Sequence, residues 1–127
     1  MERLVDVRSV PRSRRNPQFE GEALQRSLPA AGVAYEHAAA LGGFRRPRRD
    51  SPNGAWEHPS FRGYADYMGG AEFDAALAEL QGAARSRSTC VMCAEAQWWR
   101  CHRRLIADAL VVAGWRVAHL GLSASPA

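Results

Sequence analysis

The composition of residues 88–113 changes from strand-like to helix-like within a few positions, and this change constrains the fold more than any other feature of the sequence. Residues 89–92 form a short apolar run with β-branched members, which is typical of a buried strand. A helix is predicted next, because apolar residues recur at three- and four-residue spacing: Leu105, Ile106, Ala109, Leu110 and Ala113. A strand followed by a helix is the unit from which α/β folds are built, and their ligands bind where the strands end.

All three cysteines of the chain lie in this segment, around the join between the predicted strand and helix. Side chains alternate along a strand, which places Cys93 and Glu95 on the same side where the strand ends. Cys101 and His102 open the predicted helix. The unpaired N–H groups of a helix's first turn favour an anion, so a thiol there is biased toward thiolate.

The length and composition predict one domain. The chain has 127 residues, of which 46% are hydrophobic, and we expect a domain over residues 1–122 followed by a frayed tail at 123–127. It has no apolar run of about 18 residues and no charged-then-apolar leader, so we expect a cytoplasmic protein without a membrane span. Cys90, Cys93 and Cys101 are clustered, which favours reduced thiols over a disulfide framework.

The chain carries a net positive charge. All 17 basic residues are arginine, and the formal net charge is +4. This balance favours a phosphate-bearing partner such as a nucleotide or nucleic acid. It is equally compatible with a solvated surface on a protein of biased composition, so charge alone leaves both interpretations open.

The rest of the chain alternates between the same strand and helix patterns. Strands are predicted over residues 3–7, 33–37 and 115–120, and helices over residues 19–28, 59–68 and 71–84. Pro29 is expected to end the first of these helices early. The alternation predicts a single α/β domain with a mostly parallel, Rossmann-like sheet and helices on both faces. Residues 41–57 are rich in Gly, Pro and Arg and lack periodicity, which predicts a long basic loop.

Candidate ligand-binding residues follow the first two predicted strands. The first loop is a candidate phosphate clamp, because the planar fork of an arginine can pair with two oxygens at once. A solvated basic loop is the alternative. Tyr35 and His37 share one face of the second strand, where a histidine is more often structural than a base or ligand. Gly42 and Gly43 permit close approach of the backbone to a ligand. The clamp residues are Arg8, Arg12, Arg14 and Arg15.

Several blocks of the sequence resemble one known family. The segment from Cys93 through Glu95, followed by Cys-His-Arg-Arg-Leu-Ile-Ala-Asp at 101–108, is similar to the signature of the bacterial proteins grouped as domain of unknown function 488. Residues 5–13 match the first block of that family. Residues 16–19, 41–43 and 61–68 are also similar, so the resemblance covers most of the chain. It implies a fold and a site without a settled reaction.

The resemblance also carries expectations about individual residues. It implies site roles for Asp6 and Arg8. The alternative for these two residues is an internal ion pair that holds the first strand in register. It keeps His37 in the candidate site. Members of the family usually begin with an additional strand, which has a Gly-His-Ser-like end, and a helix. This sequence has no counterpart of either element.

The first functional hypothesis is an enzyme with a thiol and acid centre. Cys101 or Cys93 is the candidate nucleophile, activated by the helix terminus and by His102 or Arg103. Glu95 is the candidate general acid or base. The arginine loops, with Arg103, would hold a phosphate-bearing substrate. No cofactor is expected.

Two alternatives remain open at this stage. One is a non-catalytic module that binds nucleic acid or zinc, with Cys93, Cys101 and His102 as metal ligands and His37 or Glu95 as the fourth. The other is a structural motif in which the cysteines pack as small apolar residues, His102 caps its own helix, and Glu95 pairs with Arg103 or Arg104.

Overall fold

The computed structural model describes residues 1–13, 15–43, 45, 59–93 and 101–119. The predicted α/β class is confirmed, because these residues form a parallel sheet and four α-helices. The strands are β1 (Arg3–Asp6), β2 (Ala34–His37) and β3 (Thr89–Met92). The helices are α1 (Gly21–Ala30), α2 (Pro59–Met68), α3 (Ala71–Ser86) and α4 (Arg103–Val112), with short 3-10 turns at Pro17–Phe19 and Ala39–Leu41.

The sheet has the order β2-β1-β3, with β1 parallel to both neighbours. Leu4 and Val5 of the central strand are buried, as expected for a strand that pairs on both edges. The register aligns Asp6 with His37 on one side and with Met92 on the other. Parallel pairing therefore brings the carboxyl ends of all three strands to one edge of the sheet, and Cys93 directly follows this edge.

The chain divides into two compact units. The strand unit comprises Met1–Gly42 and Gly70–Ala94, and the helix unit comprises Gly43–Gly69 and Glu95–Ala127. In the strand unit, α1 packs on β2, and α3 packs on the Ala39–Leu41 turn. In the helix unit, α2 packs on α4. The single domain predicted over 1–122, the Rossmann-like arrangement and the placement of helices on both faces stay predictions.

Two helices end in the same way, through a glycine in the left-handed region. Gly32 follows α1 with φ +82°, and Gly114 follows α4 with φ +98°. After α1, the N–H groups of Gly32 and Val33 donate to the carbonyls of Pro29 and Leu28. Corresponding bonds close α4, and this double closure satisfies carbonyls that the end of a helix leaves unpaired.

The prediction that Pro29 ends the first helix early was wrong. Pro29 lies inside α1, which continues to Ala30. A proline removes one N–H donor from a helix. Pro29 cannot donate to the carbonyl four residues earlier, but the helix still continues for one more residue before the Gly32 and Val33 N–H groups close its end.

The strand predicted over residues 115–120 is also not formed by residues 115–119, the described part of that range. The N–H of Trp115 donates to the Leu110 carbonyl at 2.9 Å and closes α4. That donor is therefore not available to a strand ladder. Most of the predicted 41–57 loop, and the whole 123–127 tail, lie outside the described residues.

The helices of the described segments are short. None of them is long and apolar enough to cross a membrane.

Candidate functional site

The carboxyl end of β1 carries a buried ion pair between Asp6 and Arg8. The side chains of these residues are 0% and 5% exposed. Arg8 Nε donates to Asp6 Oδ1 at 2.9 Å, and Arg8 Nη2 donates to Asp6 Oδ2 at 2.6 Å. The Arg8 backbone N–H adds a third donor to Oδ1 at 3.1 Å. The pair is thus bidentate, which is the strongest geometry for an arginine and a carboxylate.

Tyr35 of β2 completes this network. Its hydroxyl donates to Asp6 Oδ2 at 2.6 Å. Burial opposes the charged carboxylate, but the hydrogen bonds from Arg8 and Tyr35 outweigh burial and hold the pKa of Asp6 below its usual value. Burial, together with the Asp6 carboxylate, raises the pKa of Tyr35 to about 12. At neutral pH the network therefore consists of an ionised Asp6, a charged Arg8 and a neutral Tyr35.

Arg8 also holds the loop that follows β1. Its Nη2 donates to the Phe19 carbonyl at 2.8 Å, and its Nη1 donates to the Arg12 carbonyl at 3.4 Å. All three guanidinium nitrogens thus contact protein acceptors. In this geometry Asp6 and Arg8 form the internal ion pair that the sequence left open. Arg12 keeps an exposed side chain on the same loop.

His37 and Gly42 lie close to the same loop. His37 Nε2 lies 2.7 Å from the Arg8 carbonyl oxygen, which only accepts, so this nitrogen carries a proton in the contact. Gly42 is buried, and a Cβ there would lie 2.6 Å from Ser9 Oγ and 2.8 Å from Ser9 Cα. The lack of a side chain at Gly42 therefore makes room for Ser9 of the chain itself, and the close approach to a ligand stays a prediction.

In the helix unit, Cys101 and His102 lie immediately before α4. The Cys101 Sγ and His102 Nδ1 atoms are 3.4 Å apart, and the Arg103 backbone N–H donates to Sγ at the same distance. Cys101 is 7% exposed. The His102 side chain makes no capping hydrogen bond to the helix, so the self-capping alternative does not describe its position. The thiol has a base on one side and a helix N–H on another.

The surroundings of His102 include residues that sequence reasoning missed as site residues. The Tyr64 ring lies 5.0 Å from the imidazole, centroid to centroid. Tyr64 was predicted only as part of the apolar stripe of α2, and burial raises its pKa. The Arg45 guanidinium lies 3.7 Å from the centroid of the Tyr67 ring, which in turn packs on Tyr64. Spacing along α2 indicates that Tyr64 is buried, but it does not indicate its partner.

The predicted site residues thus fall into two groups. The strand-end group is Asp6, Arg8, Tyr35 and His37, and the thiol group is Cys101, His102 and Gly43. The structure adds Tyr64, which was not predicted as a site residue, to the thiol group. Cys93 is half-buried directly after β3, and Arg103 is the first residue of α4. Glu95 and Arg14 lie outside the described residues.

A metal centre was one of the alternatives. Within the described ranges, no group of three or more His, Cys, Asp or Glu side chains is placed to hold a metal ion. Glu95 lies outside the described residues, so the zinc hypothesis stays a prediction.

Comparison with known proteins gives one result. No curated protein and no solved structure matches the chain. The model of the family described as "Domain of unknown function DUF488" matches residues 1–110. Because that match spans most of the 127 residues, the chain belongs to the DUF488 family.

Proposed function

We propose that the protein is a cytoplasmic, thiol-dependent enzyme that acts on a phosphate-bearing substrate, either a nucleotide or a nucleic acid. The observation that carries this proposal is the 3.4 Å approach of Cys101 Sγ to His102 Nδ1. A nucleophilic cysteine requires a base within hydrogen-bond reach and a means of stabilising the thiolate. The Arg103 N–H, at 3.4 Å from Sγ, is the group that would stabilise the thiolate.

The proposed reaction begins with transfer of the Cys101 proton to His102 Nδ1. The thiolate sulfur then forms a bond to an electrophilic atom of the substrate. The bond to the leaving group breaks, and the leaving group keeps the electron pair and takes the proton from His102. A water molecule, deprotonated by the same imidazole, then bonds to the substrate atom that carries the sulfur. The bond to sulfur breaks, the sulfur keeps the electron pair, and the proton on His102 returns to the Cys101 thiolate. General acid–base assistance of this kind is typically worth about 10²–10⁴-fold in rate.

The other residues of the proposal have less direct support. Cys93 follows β3 at the edge where ligands of parallel sheets bind. Glu95 enters through the resemblance, as a general acid or base. The phosphate preference rests on the arginine content and on the exposed side chains of Arg12 and Arg15, in the loop after β1. Arg8 contributes by holding that loop.

The test is the pH dependence of thiolate formation, followed by ultraviolet absorbance. This readout does not depend on reagent access, which matters because Cys101 is buried. Difference spectra between the wild type and Cys101→Ser isolate one thiol, and Cys90→Ser provides the matched control from the middle of β3. We expect the Cys101 thiolate to form at lower pH than the Cys90 thiolate, and His102→Asn to remove the difference.

Two results separate this proposal from its alternatives. If Cys101 and Cys90 ionise together, the nucleophile claim is wrong. If the Cys101 thiolate forms early and a short oligonucleotide binds without any turnover in a substrate screen, the non-catalytic nucleic-acid-binding module gains support.

A further inference from the structure

Gly43 makes an unusually close approach to the His102 ring. A Cβ added at Gly43 would lie 3.1 Å from Nδ1, 3.4 Å from Cε1 and 3.5 Å from Cγ of His102. The 3.1 Å contact is short enough that the ring would have to move by a few tenths of an ångström, whereas 3.5 Å is an ordinary van der Waals distance. The atom met at the shortest distance is Nδ1, the same atom that faces the Cys101 sulfur.

Tyr64 limits where that ring can go. Its side chain is 1% exposed, and its ring packs against the imidazole at a centroid distance of 5.0 Å and an interplanar angle of 54°. Tyr64 belongs to α2, which packs on α4 within the same unit. A buried aromatic ring in a close-packed interior has little freedom to yield. The imidazole is thus in contact with a glycine and with a buried ring.

We propose that Gly43 and Tyr64 are positioning residues that hold the His102 imidazole with Nδ1 turned toward the Cys101 thiol. This inference rests on the proposed function, because it matters only if His102 acts as the base. It changes the interpretation of Gly43, for which the sequence predicted close approach to a ligand. In the structure, the absence of a side chain at residue 43 makes room for the His102 imidazole.

The decisive variant is Gly43→Ala, with Gly82→Ala as the matched control. Gly82 lies in α3 and has ordinary helical geometry, and in the described part of the chain no atom lies within 4 Å of an added Cβ. We expect Gly43→Ala to raise the pH at which the Cys101 thiolate forms by about one unit, the size expected when a hydrogen bond to a charged group is weakened. Gly82→Ala should leave that pH unchanged. A Gly43→Ala protein that folds and titrates like the wild type overturns the proposal.

A second variant keeps the proposal testable if Gly43→Ala does not fold. Tyr64→Leu removes the ring, and we expect it to move the ring-nitrogen NMR signals of His102 and to raise the pH of thiolate formation. Unchanged signals and an unchanged titration overturn the positioning role.

The two proposals fail in different ways. If the wild-type Cys101 thiolate forms no earlier than that of Cys90, the proposed function fails. In that case, movement of the His102 signals in Gly43→Ala, but not in Gly82→Ala, would still show that residue 43 sets the ring position. Unmoved signals together with an early Cys101 thiolate would remove the positioning role and leave the proposed function standing.

Discussion

The carboxylate of Asp6 is fully buried and satisfied by donors of its own unit. Its two oxygens accept hydrogen bonds from the Arg8 side chain, the Arg8 backbone and the Tyr35 hydroxyl. A carboxylate has about four acceptor sites, so this set of donors nearly saturates it. An intact buried ion pair contributes little net free energy to stability. Removing one partner is nevertheless strongly destabilising, because it leaves an uncompensated charge in the interior.

Replacing Asp6 with Asn should therefore destabilise the protein strongly at neutral pH. We expect the free energy of unfolding to fall by about 3–5 kcal/mol, because Arg8 stays buried without its counter-charge. The exposed Asp108 of α4 provides the control, and Asp108→Asn should change the free energy by less than about 0.5 kcal/mol. Urea unfolding followed by circular dichroism measures both, and an Asp6→Asn protein as stable as the wild type at pH 7 would contradict the ion-pair interpretation.

The same pair predicts how stability depends on pH. The folded pKa of Asp6 is lower than the ordinary value of 3.8, so its stabilisation is complete above that value. It is lost as pH falls through the lower folded pKa. The difference in stability between the wild type and Asp6→Asn should accordingly shrink under acid conditions. A difference that stays constant from neutral to acid pH would show that the Asp6 charge is not its source.

At the level of residues, the sequence located the strand-end group but not its bonding. Strand alternation predicted that Tyr35 and His37 share a face, whereas Asp6, Arg8 and His37 entered the candidate site through the family resemblance. The partners of Arg8 depend on the path of the loop, because its guanidinium reaches the carbonyls of Arg12 and Phe19. Those distances are set by tertiary structure, which leaves no local signal in the sequence.

Among the elements, helices α1 and α4 are closed by the same motif, which ends in a glycine. A residue with a side chain at that glycine position would be destabilised by the backbone conformation that the motif requires. Gly32 and Gly114 have positive φ angles, and an added Cβ at either would meet no atom of the described residues within 4 Å. Steric clash is therefore excluded as a cause of destabilisation. What remains is the strain of placing an L-residue in the left-handed region.

Alanine at either position should lower the free energy of unfolding by about 1–2 kcal/mol. Gly82→Ala, in the middle of α3, should instead be neutral or stabilise by up to about 1 kcal/mol, because alanine favours a helix more than glycine does. Chemical unfolding of the three variants gives the comparison. Equal effects at Gly32, Gly82 and Gly114 would show that the closing motif does not contribute.

Elements with a strong local pattern were predicted with accurate bounds. The structure has α2 at Pro59–Met68 and β3 at Thr89–Met92, as the apolar spacing indicated. The errors at Pro29 and at residues 115–119 both lie at the end of a helix. In both places backbone N–H groups after a helix bond back to its last turn, and propensity does not encode that choice.

For the whole molecule, charge is the property that bears most directly on a partner. The net charge of +4 comes from arginines distributed along the chain. Those in the loop after β1, Arg12 and Arg15, are exposed, as are Arg26 of α1 and Arg85 of α3. Composition could not distinguish a phosphate clamp from a general basic surface. The two hypotheses differ, however, in how much the arginines of the loop should contribute to binding compared with those of the helices.

If the loop after β1 binds phosphate, its arginines should matter more than the others. We expect Arg12→Gln with Arg15→Gln to weaken binding of a short single-stranded oligonucleotide. The slope of the logarithm of the binding constant against the logarithm of the salt concentration should decrease in magnitude by about 0.7 for each phosphate that the double variant no longer neutralises. The matched control, Arg26→Gln with Arg85→Gln, removes the same charge from helices. Titrations at several salt concentrations measure both slopes. Equal reductions in the two double variants would mean that the oligonucleotide senses only net charge, and the clamp assigned to this loop would then be wrong.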